Sequence, residues 1–228
     1  MNTIEIDGVA YEVSAEAVVV RSRAPLVVLS SAIAGGGLVT ARSIVNLHVP
    51  KNWQPVARGA VSGWEAALDD FVARRALPTP YVGLCTSAWT DHAEVASEDE
   101  GGLVAVVLVS VGLGNPIAAG ISRRAVAAAP STINTIVVLD AQASPAALVN
   151  LVITVTEVKT AVLRDAGVRC LDGLPASGTS TDAVVVAATD RGPAVEFGGP
   201  ISDFGAVTAR AARRALEHGV EAWLERHR

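Results

Sequence analysis

The sequence predicts a layered α/β (α+β) domain in which mixed, buried strands are covered by long helices. Three observations carry this. Residues 103–111, 132–139 and 183–188 read as apolar, buried strands, the first a Val-rich run without alternation, the mark of a strand covered on both faces. Two long segments, opening at Ser144-Pro145 and at Ser202 or Asp203, combine helix-start signals with helical spacing of apolar residues. No solenoid repeat, low-complexity tail or linker interrupts the 228 residues, which read as one domain, 1–228, with the acidic stretch near Glu98 as its weakest seam.

In chain order, residues 4–13 read as strand and turn around Asp7-Gly8, and residues 25–30 as an apolar strand ended by Gly35-Gly36-Gly37. Residues 43–49 alternate, with Asn46 and His48 on one face and Leu47 and Val49 on the other, until Pro50. Trp64, Leu68, Phe71, Val72 and Arg75 have helical spacing, closed by Pro78 and Pro80. Residues 81–87 are strand-like, with Cys85 read as core. Residues 90–102 hold five acids and two glycines and read as a loop or exposed hairpin. Ala-rich residues 116–129 read as a helix with Arg123 and Arg124 outward. In the long helix after Ser144, Pro145 takes the first position, where a missing N–H costs nothing. Leu148, Val149, Val152, Val155, Val158, Val162 and Leu163 form its expected buried face, Asn150, Thr154, Glu157 and Arg164 its wet one, and Gly167 its left-handed stop. The last helix runs toward Trp223.

Composition narrows the function. Half the residues are apolar and mean hydropathy is +0.41, which excludes a disordered chain. Net charge is −5 with no basic stripe, so neither nucleic acid nor an anionic membrane is an expected partner. The apolar run at 103–113 is shorter than the about 20 residues a membrane span needs. The acidic N-terminus (Glu5, Asp7, Glu12) lacks the basic region of a signal peptide. Cys85 and Cys170 do not suggest a secreted disulfide scaffold, and the expectation is a soluble cytoplasmic protein. There is no GxxxxGK[ST], HExxH, CxxC or GxSxG motif, and the four histidines are scattered, so no metal site is expected.

Four stretches hold residues suited to chemistry, and on spacing alone each also has a plain structural reading. Asn46 and His48 could line a site or sit on a half-solvated edge strand. Gly112-Leu113-Gly114-Asn115 could present N–H groups to an oxyanion or form a tight turn. Ser131-Thr132-Ile133-Asn134 places hydroxyls at a strand start, as a nucleophile requires or as a turn after Pro130 does. Residues 173–182 could cradle polar groups or be a surface loop.

At these same places the chain resembles the adenosylcobinamide amidohydrolase family. The matching stretches are GLVTARSIVNLHVPKNW (37–53), SVGLGNPIAAG (110–120), STINTIVVLDAQASPAALVNLVITVTEVK (131–159) and GLPASGTSTDAVVVAA (173–188). Together they reach over nearly the whole chain. Ser131 stands where the family pattern has Gly before the Thr, and the acidic residues 94–100 match no part of it. The resemblance implies hydrolysis of the amide joining the aminopropanol arm to the corrin ring of adenosylcobinamide, giving adenosylcobyric acid. Some members also act on pseudocobalamin-type corrinoids. No cofactor is implied, since the cobalt belongs to the substrate.

A more distant resemblance links Thr132, the strand to Asp140-Ala141 and Gly178-Thr179-Ser180-Thr181-Asp182 with ornithine acetyltransferases and P1-type aminopeptidases, and implies an αββα core. By that resemblance Thr132 is the expected nucleophile; the N–H groups of Gly112 and Gly114 and the Asn115 amide are expected to hold the oxyanion. The base would be a new α-amine if the chain cleaves itself before Thr132, and otherwise His48, with Glu157 second. Asn46, Gly112, Gly114, Asn134, Thr179, Thr181 and Asp182 are the expected substrate-binding residues, in a wide aliphatic cleft with Trp53. The alternatives are a corrinoid-binding protein without activity and an aminopeptidase or acyltransferase sharing only the fold. A homo-oligomer is compatible with any of them.

Overall fold

The computed structural model describes residues 2–3, 6–53, 56–59, 61–123 and 131–227. The first half holds β1 (Asn2–Thr3), β2 (Val9–Val13), β3 (Ala17–Ser30), β4 (Gly37–His48), α1 (Gly63–Arg74), β5 (Tyr81–Thr86), a 3-10 turn (Thr90–His92), β6 (Glu94–Glu100) and β7 (Leu103–Val111). The second holds β8 (Pro116–Ile117), β9 (Ile133–Leu139), β10 (Gln142–Ala143), α2 (Pro145–Asp165), β11 (Gly178–Thr179), β12 (Ala183–Ala188), β13 (Ala194–Val195) and α3 (Asp203–Arg226).

Among the described residues nine strands form one mixed sheet, in the order β1-β2-β3-β12-β9-β7-β6, with β4 also on β3 and β5 on β4. The sheet folds over itself because β3 belongs to both halves. Val18–Ser22 pair with β2, Val27–Ser30 pair with β12, and β4 follows both parts. The register slips between Arg21 and Leu26, where Pro25 removes a ladder donor. The two parallel pairs, β4–β5 and β9–β12, are bridged by α1 and α2, as parallel strands require.

Three apolar cores order the layers. One joins α2 and α3 to the outer face of β7, β9 and β12 through residues such as Val107, Val137, Leu148, Val186 and Leu216. A second fills the space between the sheet halves, where Ile44, Val82 and Leu84 meet Leu108, Ile136 and Val185. The third lies under α1, where Leu68 and Phe71 cover Val19, Val45 and Leu47. The succession is helix, sheet, sheet, helix.

Several elements agree with local sequence signals. β7 and β12 span the predicted runs. Ser144 caps α2 by accepting the Ala147 N–H at 3.1 Å, Pro145 opens the helix, and Gly167 has φ +70° just past its end. Ser202 caps α3, and Ser62 with Glu65 forms a reciprocal capping box on α1. The acidic stretch is an exposed hairpin strand: β6 pairs with β7, and Arg210 and Arg214 of α3 bind Glu98 and Glu100.

Other elements differ. β3 begins at Ala17 rather than Pro25. Residues 116–123 are not helical: Pro116–Ile117 pair with β11 and a turn follows, while the rest of the expected helix, residues 124–129, lies outside the described residues. The buried face of α2 is rotated, with Leu151, Thr154 and Lys159 inside and Val149 48% exposed. The same helix is, by length and composition, apolar enough to cross a membrane, a segment overlooked beside 103–113; here Leu148, Leu151 and Val155 are packed on the sheet.

Replacing Leu151, a fully buried residue of α2, with Ala should cost about 2–5 kcal/mol in urea denaturation. On the other side of the molecule, Arg75 holds the Glu12 carboxyl below its usual range and Arg74 does the same to Glu16, against the opposing effect of burial. A lowered carboxylate pKa stabilises the fold above the unfolded-state pKa, and that contribution disappears as pH falls through the folded-state value. Arg75→Ala should therefore narrow the stability difference between pH 7 and pH 3, read from thermal melts across that range.

Candidate active site

At one end of the inter-sheet core the apolar pattern gives way to polar side chains. β4 sends Ile44, Asn46 and His48 to that face by its two-residue period, β7 sends Leu108 and Ser110, and β9 sends Asn134 and Ile136. Asn46 and Asn134, each 2% exposed, bridge the sheets: Asn134 Nδ2 donates to Asn46 Oδ1 at 2.8 Å and to the Cys85 carbonyl at 3.1 Å. Asn46 Nδ2 donates to Ser110 Oγ at 2.8 Å. Thr132 Oγ1 lies 3.1 Å from Asn134 Oδ1 and 2.7 Å from the Thr181 carbonyl. Buried polar groups persist only when satisfied in this way, so the network fixes how the two sheets meet.

Asp182 fixes the start of β9. Its carboxylate accepts the Ile133 N–H at 3.0 Å, the Thr179 N–H at 3.0 Å and the Thr179 hydroxyl at 2.5 Å, and pairs with Lys159 of α2. Gly178 leaves room for the pair, since a Cβ there would lie 2.4 Å from Asp182 Oδ2. Asn115 Nδ2 donates to Ser180 Oγ at 2.5 Å and joins the glycine turn to this loop.

A cleft of about 540 Å³ opens over this end. Gly112, Gly114 and Ser131 line its floor, His48, Ser87, Trp89 and His92 one wall, and Trp223, Arg226 and His227 of the α3 end the other, with Lys51 at the rim. Ser131, 5% exposed, accepts the Gly114 N–H on Oγ at 2.7 Å. Any Cβ on Gly114 would stand 3.0 Å from that oxygen and 3.5 Å from Lys51 Nζ, and one on Gly112 would stand 3.1 Å from it. Glycine keeps the approach to the hydroxyl clear. His48 Nδ1 lies 2.9 Å from the Ala88 carbonyl. A carbonyl only accepts, so Nδ1 carries the hydrogen and Nε2 the lone pair. The ring is stacked on Trp89, 4.9 Å between centroids and 14° from parallel.

The structure thus brings His48, Gly112 and Gly114 to one cleft, with Asn46, Asn134 and Thr132 directly beneath in the network. Thr132 is 3% exposed, does not line the cleft, and has its single hydroxyl proton shared between the two acceptors above. The Gly112 N–H is bonded to the Thr132 carbonyl at 3.0 Å, so it anchors the strand start. Thr179 and Asp182 are bound to each other, and Thr181 enters through its carbonyl. Glu157 is not in the constellation. It stands exposed on α2, lining a separate hollow with Thr156, Thr160 and Arg164, and the sheet lies between α2 and the inter-sheet network. Trp53 packs under α1. Burial pushes the Cys85 thiol up to about 12, which leaves it protonated and inert at neutral pH.

Sequence reasoning missed Lys51, Trp89, His92, Trp223 and His227. Lys51 sits in the VPKNW stretch beside His48, a signal that was present. The α3-end residues lie more than 100 positions from the glycine turn, and nothing local marks them.

A hydroxyl beside a glycine N–H, an imidazole with a free lone pair and an ammonium are the parts of a nucleophilic amide hydrolase. The adenosylcobinamide amidohydrolase (CbiZ) family matches residues 2–228, and the chain belongs to that family, whose members hydrolyse a C–N amide bond in corrinoid salvage. The adenosylcobinamide amidohydrolase of Halobacterium salinarum is 30% identical over 192 residues, covering 82% of this chain and 77% of that one. The adenosylcobinamide amidohydrolase of Methanosarcina mazei is 27% identical over 195 residues, covering 82% and 86%. Among solved structures, a Burkholderia β-aminopeptidase aligns with a TM-score of 0.44 at 14% identity, over 98% of this chain and 82% of that one.

Asp182→Ala leaves Lys159 unpaired in a largely buried site and three donors unmatched. It should cost about 3–5 kcal/mol in denaturant unfolding and lower activity with it.

Proposed function

We propose that this cleft hydrolyses the aminopropanol amide of adenosylcobinamide with the Ser131 hydroxyl as nucleophile. The observation that carries the assignment is the placement of that hydroxyl on the cleft floor, against the Gly114 N–H and between two glycines that leave its approach open. Ser131 Oγ adds to the amide carbon as its proton passes to His48 Nε2. The oxyanion is stabilised by the Gly114 N–H and the Lys51 ammonium. Collapse breaks the C–N bond, and His48 returns the proton to the departing amine. Water then attacks the Ser131 ester, giving up a proton to His48, and the carboxylic acid of adenosylcobyric acid leaves as Oγ regains its proton. Ala88 and Trp89 keep the imidazole in the required tautomer and plane.

A second reading keeps Thr132 as nucleophile, because its hydroxyl heads the Asn134–Asn46 network. It requires scission of the Ser131–Thr132 bond, which would free an α-amine as base. Two free cysteines support a reducing, cytoplasmic setting, and the −5 charge supports a small-molecule corrinoid partner over nucleic acid or an anionic membrane.

Ser131→Ala should lower aminopropanol release, followed by mass spectrometry, by roughly 10³-fold or more. His48→Ala should lower it by about 10²–10⁴-fold and Lys51→Met by about 10²-fold. Thr132→Ala should cost far less. The reverse order of Ser131 and Thr132, with two fragments in the intact-mass spectrum, establishes the second reading.

A further inference from the structure

Three of the four histidines, His48, His92 and His227, line the one cleft. The hydrolysis uses His48 alone. His227 is nevertheless held in a defined pose at the far wall. Its Nδ1 lies 2.8 Å from the Trp223 carbonyl, so Nδ1 carries the hydrogen and Nε2 the lone pair. Its ring lies flat on the Trp223 indole, 4.0 Å between centroids and 10° from parallel. One ring nitrogen tied to a carbonyl, with the other left free, is how proteins present an imidazole to a metal. Among the described residues no ring hydrogen bond fixes His92.

Adenosylcobinamide brings a metal with it. Its cobalt carries the adenosyl group above the ring, and the lower axial position holds water, because the nucleotide base that fills it in a complete cobalamin is missing. The amide arm to be cut leaves the ring on that same lower side. A substrate with this arm over Ser131 therefore turns its lower axial position into the cleft. We propose that His227 Nε2 takes that position: a Co–N bond forms, the axial water leaves, and the oxidation state of cobalt does not change. The inference rests on the amidohydrolase reading of the cleft, and it makes the corrinoid's empty lower position a determinant of specificity. A corrinoid whose own base occupies the position competes with His227 and is bound less well.

The test is electron paramagnetic resonance of cob(II)inamide bound to the full chain. One axial nitrogen should split each cobalt line into three in the wild type, the splitting should vanish in His227→Ala and His227→Gln, and it should persist in His92→Ala. The Kd of cobinamide should rise about tenfold in His227→Ala. Wild-type affinity for dicyanocobinamide, whose axial sites are both taken by cyanide, should fall to the level of the variant. Splitting that persists without His227, or that depends on His92, overturns the proposal. Unsplit lines from bound cob(II)inamide overturn it too, and continued formation of adenosylcobyric acid in that case leaves the amidohydrolase reading standing. Failure of the wild type both to bind cobinamide and to release aminopropanol removes both.

Discussion

The site depends on one carboxylate. Asp182 is the point where α2, the loop after β11 and the start of β9 are joined, through Lys159, Thr179 and the Ile133 N–H. A charge pair this far from water is a costly way to gain stability, because both ions give up hydration. It is a good way to fix a position, because an unmatched partner would cost more than any shift could gain. The segment held in place is Ser131-Thr132, whose carbonyl and hydroxyls then organise Gly112, Gly114 and the inter-sheet asparagines.

That arrangement explains why the polar network and the cleft sit at the end of the sheets rather than in their middle. Between the sheets the side chains are aliphatic, Val, Ile, Leu and Ala, and a polar group there would need partners the core does not supply. At the end, β4, β7 and β9 each place a polar residue on the inner face, and these satisfy one another across the gap. The two asparagines lie beneath the cleft floor and tie the sheets together, and Ser131, Gly114 and His48 stand on the open side of them. Stacking on Trp89 and a carbonyl bond at Nδ1 leave His48 with one usable nitrogen.

How much of this was legible in the sequence follows from what each segment interacts with. β7, β12 and the starts of α2 and α3 were readable because their signals are local: an uninterrupted Val run, a Ser-Pro cap, a glycine stop. The buried face of α2 was not, because the helix is apolar almost all round and periodicity cannot choose a side. Two polar anchors choose it instead, Thr154 donating to the Gly198 carbonyl and Lys159 pairing with Asp182, and each partner is distant in sequence. Ala-rich residues 116–123 follow the same logic, since pairing of Pro116–Ile117 with β11 overrides helix propensity. The shared face of Asn46 and His48 followed from strand period alone. Placing Ser131 rather than Thr132 on the cleft floor required the backbone path before β9, and Glu157 was misplaced because a helix face cannot reveal which side of a sheet it covers.

The doubled role of β3 bears on how the enzyme admits a broad, flat molecule. One continuous chain is hydrogen-bonded into both halves of the sheet, so the halves cannot hinge apart like the covers of a book without tearing main-chain ladders on two sides. The entrance is bordered instead by segments outside the ladders, namely the 3-10 turn with Trp89 before it, the loop that carries Lys51 and the last turn of α3, so strand pairing sets the base of the cleft and not its border.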